Sequence, residues 1–224
     1  MFEQYFGTKS MTNDHFIVDS ILEHTMIDEE ELYLLKTMLA DLSNGSHDTI
    51  DATREKIIAI RNDSNHIFEH IEEQIIQANF DFQKQYDFLR IFQRMESVSA
   101  EIICCANYIA IFTRLEGQLP KFCFDDFNTL INRNIETHEF FKKSLMIYEK
   151  NKQDVFNLIH KVISVNQSIN TIYFNSIETM YRIANDGSLK LGDMRSLENI
   201  YNSLINIGNS VEAASTSLEW LLIS

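Results

Sequence analysis

Two histidines in the sequence have the spacing of a metal site. His66 and His70 are four positions apart, with Glu69 and Glu73 beside them. If this segment is helical, both imidazoles lie on one face and could hold a zinc or nickel ion. The pair flanks an apolar stripe and has no obvious third ligand. We therefore favour surface histidines over a metal site.

Other catalytic patterns are missing from the sequence. A di-iron carboxylate bundle needs Glu-x-x-His on two helices, whereas Glu136-Thr137-His138 has a different spacing. The sequence has no glycine-rich phosphate loop, no Gly-x-Ser-x-Gly motif and no zinc-knuckle spacing. Because no nucleophile–base pair or cofactor cradle is visible, we expect neither catalysis nor a cofactor.

The cysteines and the single tryptophan are predicted to be structural. Cys104 and Cys105 are adjacent, and we interpret both as buried, inert thiols. Cys123 has no histidine near it in the sequence. We place Trp220 in the core, the alternative being an aromatic anchor for a partner. Three aromatic residues near the start either form a docking arm or cover one end of the fold: Phe2, Tyr5 and Phe6.

The composition narrows the class of protein. Of the 224 residues, 45% are hydrophobic, and only six are glycine and one is proline. So few turn residues argue against a β-rich protein and favour an all-α fold. No apolar run approaches the ~18 residues of a membrane span, and the N-terminus lacks the pattern of a signal peptide. An odd number of cysteines without CxxC spacing indicates a reducing compartment. We predict a cytoplasmic protein that is not an integral membrane protein.

The formal net charge of the chain is −14 at pH 7. This charge argues against nucleic acid and anionic lipid as partners, because both require a basic surface. It is compatible with binding cations or a basic patch on a protein partner, and equally with solubility alone.

Six long helices are predicted from the apolar spacing and from the rare chain breakers. Asp125 or Asp126 is expected to cap the fourth helix, which is either separate from the fifth or continuous with it through residues 149–152. The predicted ranges are 14–41, 48–77, 81–115, 125–148, 154–185 and 193 to near the C-terminus. The residues expected to share one core are Met95, Ile102, Cys105, Leu204 and Val211.

The apolar pattern of the sequence occurs twice. Residues 60–68 match residues 165–173 at an offset of 165 − 60 = 105, and residues 91–112 match residues 200–221 at an offset of 200 − 91 = 109. Such self-similarity indicates the same pair of helices in each half. We predict a first three-helix repeat at 1–116, a linker at 117–123 and a second repeat at 124–224, together forming one compact domain.

With this arrangement the chain resembles the PhoU-like group, the phosphate-uptake regulators and their single-chain relatives. The resemblance covers almost the whole chain and implies a bundle of two tandem three-helix repeats. In the group, the second and fifth helices carry a Leu-Glu-x-x-x-Asp pattern, the third and sixth supply further acids, and several members bind metal clusters. The resemblance also implies a phosphate transporter, or its cytoplasmic partner, as the binding partner. A homo-oligomer is compatible with it.

The sequence departs from this pattern at the positions of the acids. Those of the second helix fall on Arg61 and Asn65, and those of the fifth on Asn166 and Asn170. Asparagine supplies no charge to offset a cation, and Arg61 adds a positive charge where the metal would lie. We therefore expect that the metal cluster is lost and that asparagines hydrogen-bond between helices instead. The weak remnants of the site are Glu96, Glu101 and Glu212.

Three functions stay open at this point. The first is a non-enzymatic regulatory or accessory protein of phosphate transport or homeostasis that acts by protein–protein interaction. The second is a metal-binding helical bundle that uses the residual carboxylates, and the third is a structural scaffold without a ligand. Metal content separates the second from the others, and a pull-down with membrane proteins separates the first from the third.

Overall fold

The computed structural model describes residues 3–223, except for the side chains of residues 3–13 and residue 47. In this range the backbone forms six α-helices and no strand, so the predicted all-α fold is confirmed. Phe2 and the side chains of Tyr5 and Phe6 lie outside the described residues. The helices are α1 (Glu3–Asn44), α2 (His47–Gln77), α3 (Phe82–Arg114), α4 (Lys121–Met146), α5 (Lys152–Asn185) and α6 (Leu191–Ile223).

The helices of each half pack on one another. α1, α2 and α3 are in mutual contact, and so are α4, α5 and α6. Between the halves, α3 packs along α6 in the most extensive helix–helix interface, and α1 packs on α4. Among the described residues α2 and α5 do not touch, so they lie on different flanks of the bundle. The pairing of helices is the same in both halves, while the division into repeats at 1–116 and 124–224 stays a prediction.

α3 and α6 run antiparallel through the centre of the molecule. The side chain of Asn206 donates to Glu101 at 3.0 Å, and the Cys105 thiol lies 4.0 Å from the carbonyl oxygen of Ile200. Burial of apolar surface along this seam stabilises the fold. All five residues predicted to share one core belong to it and are fully buried: Met95, Ile102, Cys105, Leu204 and Val211.

The composition of α3 corrects one expectation from the sequence. Phe82–Arg114 is long and apolar enough to cross a membrane, with a mean hydropathy of 1.3 over its most apolar stretch. Half of that stretch is buried inside the bundle. α3 packs on α1, α2 and α6, and the apolar residues in the buried half of the stretch form part of the core of the bundle.

Residues 115–120 connect α3 to α4. Glu116 has a φ of 53°, in the left-handed region, and the amide of Gly117 donates to Phe112 at 3.0 Å. These contacts close the C-terminal end of α3 in the way that helices commonly end. A Cβ at Gly117 would lie 2.4 Å from the ring of Phe112, so the turn requires glycine.

The predicted cap of the fourth helix is wrong. α4 begins at Lys121, one turn before Asp125 and Asp126, because Pro120 occupies the cap position with a φ of −63°. Proline needs no partner for an amide hydrogen, which suits the start of a helix. Asp126 instead faces the bundle, where it accepts hydrogen bonds from Ser176 at 2.6 Å and from Tyr201 at 3.2 Å.

α4 and α5 are separate helices, which settles the alternative that the sequence left open. α4 ends at Met146 and α5 begins at Lys152. The side chain of Asn151 accepts hydrogen bonds from the amides of Gln153 and Asp154, at 3.0 and 3.3 Å, and so caps α5.

Two residues predicted to be buried lie at the surface. Cys104 is exposed, whereas its neighbour Cys105 is buried. Trp220 is 56% exposed, and Leu221 and Leu222 face the core in its place. Successive residues of a helix point about 100° apart, so a shift of one position is enough to move a side chain from the core to the solvent.

Candidate functional site

The four positions that match the acids of the PhoU-like group lie in two separate places. Arg61 and Asn65 are on α2 in the first half, while Asn166 and Asn170 are on α5 in the second half. Because α2 and α5 do not pack together in the described structure, these residues build two sites and not one shared site.

In the first half, Arg61 holds Glu96 of α3. Its guanidinium donates to both carboxylate oxygens of Glu96, at 2.5 and 3.1 Å. The guanidinium carbon also lies 3.9 Å from the centre of the Phe68 ring, a cation–π contact. Bidentate pairing of this kind is among the stronger polar contacts in proteins. Asn65 is exposed and takes no part in it.

The ion pair continues inward through His24 of α1. Nε2 of His24 lies 2.9 Å from Glu96 Oε1, and Nδ1 lies 3.1 Å from Asp28 Oδ2. The hydroxyl of Ser99 donates to the other oxygen of Asp28. A continuous chain of polar contacts therefore runs from Arg61, at the surface of α2, through α3 and α1 into the core.

The chain of contacts ends in four fully buried residues, which we name the inner cluster: His24, Asp28, Glu31 and His138. His138 comes from α4, and its Nε2 lies 3.9 Å from Asp28 Oδ2. Among the described residues, neither ring nitrogen of His138 and neither oxygen of Glu31 has a hydrogen-bond partner. The inner cluster therefore places polar groups from both halves of the chain in the α1–α4 interface.

Reasoning from the sequence missed the inner cluster. Its signal was present, because His24, Asp28 and Glu31 recur every three or four residues on the apolar face of α1. Polar residues at core positions often mark such networks. His138 was noted only as part of Glu136-Thr137-His138, and its role is set by the packing of α4 on α1.

Burial and charge together shift the protonation of this network. Burial lowers the pKa of His24, but Asp28 and Glu96 outweigh it and raise the pKa to about 9. Burial would raise the pKa of Asp28, yet His24 and His138 lower it to about 2. For Glu96, the hydrogen bonds from His24 and Arg61 overcome burial and lower the pKa. These groups are therefore ionised at neutral pH.

Glu31 behaves in the opposite way. Burial, followed by the negative charge of Asp28, raises the pKa of Glu31 to about 8. At pH 7 its carboxyl is mostly protonated. The charges of Arg61 and His24 then balance those of Asp28 and Glu96, so these residues form a network without net charge.

In the second half, Asn166 is buried and joins α5 to α6. Its side-chain amide donates to Asn209 Oδ1 at 3.0 Å and also to the carboxylate of Glu212. Asn170 donates to the backbone oxygen of Asn166 at 3.0 Å, within α5. The expected hydrogen bonding between helices is therefore present for Asn166, with residues of α6 as its partners.

Gly208 of α6 makes room for two buried oxygens. Asn134 of α4 donates to the carbonyl oxygen of Leu204 at 2.9 Å, which directs its own oxygen toward Gly208. A Cβ at Gly208 would lie 2.4 Å from Asn166 Oδ1 and 3.1 Å from Asn134 Oδ1. Glycine is therefore required where the three helices meet.

The metal cluster that the resemblance implies does not fit these residues. Its positions in the first half hold a guanidinium already paired to Glu96, and those in the second half hold neutral amides. The remnant acids are also apart, since Glu101 binds Asn206 and Glu212 binds Asn166. In the described part of the chain, no three His, Cys, Asp or Glu residues are arranged to hold a metal ion.

The remaining sequence candidates have ordinary surroundings. His66 and His70 are exposed on α2 and line a groove together with Glu23, so their predicted position at the surface is correct. Burial raises the pKa of Cys123 to about 12 and that of Cys105 further. Thiols with such raised pKa values are poor nucleophiles.

The fold has close counterparts among solved structures. A protein described as a PhoU-like phosphate regulatory protein from Shewanella oneidensis MR-1 superposes with a TM-score of 0.76, at 12% identity over 92% of this chain and 99% of that chain. A second PhoU-like protein from the same organism gives 0.77 at 12% identity, with the same coverage. PhoU from Pseudomonas aeruginosa gives 0.73 at 12% identity over 95% of this chain and 98% of that chain.

No protein-family profile matches the chain, and no curated protein matches it by sequence. The resemblance recognised in the sequence is therefore confirmed by structure, over nearly the full length of both chains. The superposition establishes the fold. At 12% identity it does not establish the function, which needs a separate argument. The chain has the PhoU-like fold of six helices.

Proposed function

We propose that this protein is a non-enzymatic regulatory or accessory protein of phosphate transport or homeostasis, which acts in the cytoplasm by binding a protein partner. The observation that carries the proposal is the match of the whole bundle to PhoU-like phosphate regulatory proteins, at TM-scores of 0.73 to 0.77. The partner in this proposal is a phosphate transporter or a cytoplasmic protein bound to it.

The chemistry of the described residues supports a role without catalysis. Among the carboxyls of the first-half network whose pKa values are shifted, Asp28 and Glu31 are fully buried, and Glu96 is paired with Arg61 and His24. A general acid or base has to reach a substrate, and a fully buried group reaches only its neighbours in the core. The buried thiols are similarly enclosed. We therefore interpret the polar network of the first half as a set of contacts that joins helices.

The alternative of a metal-binding bundle is less well supported. Each remnant acid already has its own polar partner, and Glu96 is held by two cationic side chains, Arg61 and His24. A multinuclear cluster needs several carboxylates that converge on the cations. The third alternative, a scaffold without a ligand, predicts no specific partner, and the experiment below separates it from the proposal.

The proposal is tested by cross-linking and affinity purification from the cells that naturally make the protein, grown with low and with high phosphate. The bait is the tagged full-length chain, and the control bait is an unrelated acidic helical bundle. We expect a phosphate transport protein to co-purify with the chain and not with the control. Deleting the gene should also alter phosphate uptake. If no transport protein is captured under either condition and uptake is unchanged, the proposed function is wrong.

A further inference from the structure

The negative charge of the chain is concentrated in two segments. Residues 10–35 contain seven acidic residues, residues 62–83 contain five, and neither segment contains a lysine or an arginine. Together they carry a charge of −12 out of −14. The rest of the chain has 33 − 12 = 21 acidic and 19 basic residues, a charge of −2. Nearly all of the formal net negative charge therefore comes from these two segments.

The fold brings these two segments side by side. α1 and α2 are antiparallel neighbours. The hydroxyl of Ser20 donates a hydrogen bond to Gln74 at 3.3 Å, and that of Thr49 donates to Asp41 at 2.5 Å. In this register, residues 10–35 of α1 lie opposite the C-terminal part of α2. Two stretches without a lysine or an arginine therefore lie side by side, while Asp28 and Glu31 within them are buried and add nothing to the surface.

An open groove follows the seam between the two helices. It has a volume of about 500 Å³, with Ile67 and Ile71 among its apolar lining residues and Glu23 beside them. A second cavity of about 210 Å³ shares Phe16 and Gln74 with it and extends it along the helices. Phe16 is 54% exposed, so the groove offers apolar surface to a partner.

Exposed carboxylates lie on the same stretches of α1 and α2 as the groove, and Glu23 among them lines it. None of these side chains pairs with a lysine or an arginine in the described structure. On α1 they are Asp19, Glu23 and Glu30, and on α2 they are Asp63, Glu69, Glu72 and Glu73. Basic residues next to the surface are already occupied: Arg61 pairs with Glu96, Lys84 with Asp14 and Lys142 with Glu29. The surface we name the acidic groove, with Phe16, Ile67 and Ile71 inside and these carboxylates outside, thus has uncompensated negative charge.

We propose that the acidic groove binds a Lys/Arg-rich amphipathic helix from the cytoplasmic side of an integral membrane transport protein. This inference rests on the proposed function and adds the surface and the chemistry of the partner. A helix that lays an apolar face into a groove is a recurring mode of recognition. Opposite charges around the groove guide such a helix and select it.

The charge of the acidic groove also determines the kind of membrane component that fits. Cytoplasmic loops of membrane proteins carry an excess of lysine and arginine near their membrane-spanning helices. The lipid surface around them is anionic and repels a face with these carboxylates. The groove is thus suited to the protein and not to the bilayer. Binding to it should weaken with salt, because exposed charges are screened.

The groove is tested with a synthetic amphipathic helical peptide of about 18 residues, made of leucine and lysine, and a matched peptide with glutamate in place of lysine. Binding is measured by fluorescence anisotropy. The double variant Glu23→Lys/Glu73→Lys reverses the charge of two carboxylates of the acidic groove. Asp125→Lys/Glu178→Lys makes the same change of net charge at exposed positions elsewhere. Circular dichroism establishes that both variants are folded.

We expect the lysine peptide to bind the natural chain and the glutamate peptide not to bind. Affinity should fall about tenfold or more in the groove variant and less than about twofold in the control. Vesicles of anionic lipid that contain no membrane protein should not bind the natural chain. Equal losses in the two variants would overturn the assignment of the groove, and so would equal binding of the two peptides.

A second arm separates the groove from the proposed function. Both double variants serve as baits in the cellular purification described above. Loss of the transport protein from the Glu23→Lys/Glu73→Lys bait alone supports the groove. Retention by both baits refutes the groove while the proposed function stands. If the natural chain captures no transport protein, the proposed function fails and the peptide titration alone decides whether the groove binds basic helices.

Discussion

The Arg61 guanidinium of α2 and the Glu96 carboxylate of α3 form a bidentate ion pair, with N···O distances of 2.5 and 3.1 Å. The resemblance to the PhoU-like group predicts an acid at the position of Arg61. Here a side-chain cation neutralises Glu96 directly. Through His24 the same carboxylate is tied to the core, so the ion pair holds three helices together.

Arg61→Ala should lower the free energy of unfolding by roughly 1–3 kcal/mol, because it leaves a half-buried carboxylate without one of its cations. Arg114→Ala is the matched control. It also removes an arginine that pairs with a carboxylate, but the side chains of Arg114 and Asp51 are 56% and 54% exposed. The control should cost about 0–1 kcal/mol. Urea denaturation at neutral pH measures both, and equal losses would mean that the Arg61 pair has no special structural role.

Gly208→Ala should destabilise the protein by roughly 1–3 kcal/mol, as overpacking of a core does. The added carbon would lie 2.4 Å from Asn166 Oδ1, and Asn166 is held in place by Asn209 and Glu212. Gly192→Ala, also in α6, meets no atom within 4 Å. It should be neutral or stabilise by up to about 1 kcal/mol. Thermal melts of the two variants check the difference. A Gly208→Ala protein as stable as Gly192→Ala would contradict the described packing around Asn134 and Asn166.

Much of the fold was predictable from the sequence, because long helices with one apolar face leave a periodic signal. The prediction that Met95, Ile102 and Cys105 lie on the core side of α3 was correct, since all three residues are buried. Boundaries were less predictable. Asp125 and Asp126 are residues of a type that often caps a helix, but α4 begins one turn earlier, with Pro120 at the cap position. Local capping signals compete with one another, and the sequence does not show which one prevails.

The site was only half predictable. That Arg61 and Asn166 stand where relatives carry acids stays a prediction from the sequence, and the partners of these residues depend on how α2, α3, α5 and α6 are rotated. The inner cluster depends further on the contact of α1 with α4, where Asp28 meets His138, 138 − 28 = 110 residues away. No local pattern connects two such positions. Three-dimensional packing was needed to find them.

Stability should fall as the pH rises from about 5 to about 9. The pKa of Glu31 is raised to about 8 and that of His24 to about 9 in the folded protein. Both groups therefore hold protons that the unfolded chain releases at lower pH, and the stability linked to them is lost as the pH rises. Below pH 4 the opposite shift of Asp28 reduces stability as well. Urea denaturation as a function of pH measures the dependence.

Glu31→Gln should flatten the alkaline part of this dependence, since glutamine stays neutral and has a similar shape. At pH 9 the variant should be more stable than the natural chain, by on the order of 1 kcal/mol or more. Glu30→Gln, an exposed neighbour on α1, should leave the pH dependence unchanged. Parallel curves for all three proteins would show that Glu31 does not titrate in this range.

Met95→Ala and Leu204→Ala should each lower the free energy of unfolding by about 2–5 kcal/mol, the usual cost of a large-to-small change in a core. Both side chains are fully buried, in α3 and α6. Ile111→Ala is the control on α3, because Ile111 is 44% exposed, and it should cost less than about 1 kcal/mol. Guanidinium titrations provide the comparison. Costs near that of Ile111→Ala for both core variants would contradict the register of the α3–α6 interface.

We propose that this chain binds no metal cluster, because Arg61 and asparagines stand at the positions where the resemblance predicts acidic ligands. Elemental analysis tests it most directly, on protein purified without chelator and then equilibrated with iron, zinc and manganese. We expect well below one bound metal atom per chain, because Arg61 and neutral asparagines occupy the ligand positions. The comparison is the folded variant Arg61→Glu/Asn65→Asp/Asn166→Glu/Asn170→Asp, which should take up metal. If that variant stays metal-free, the placement of the family pattern on these residues is wrong. One or more tightly bound metal atoms per natural chain, lost when Glu96 or Glu212 is changed to alanine, would contradict the claim itself.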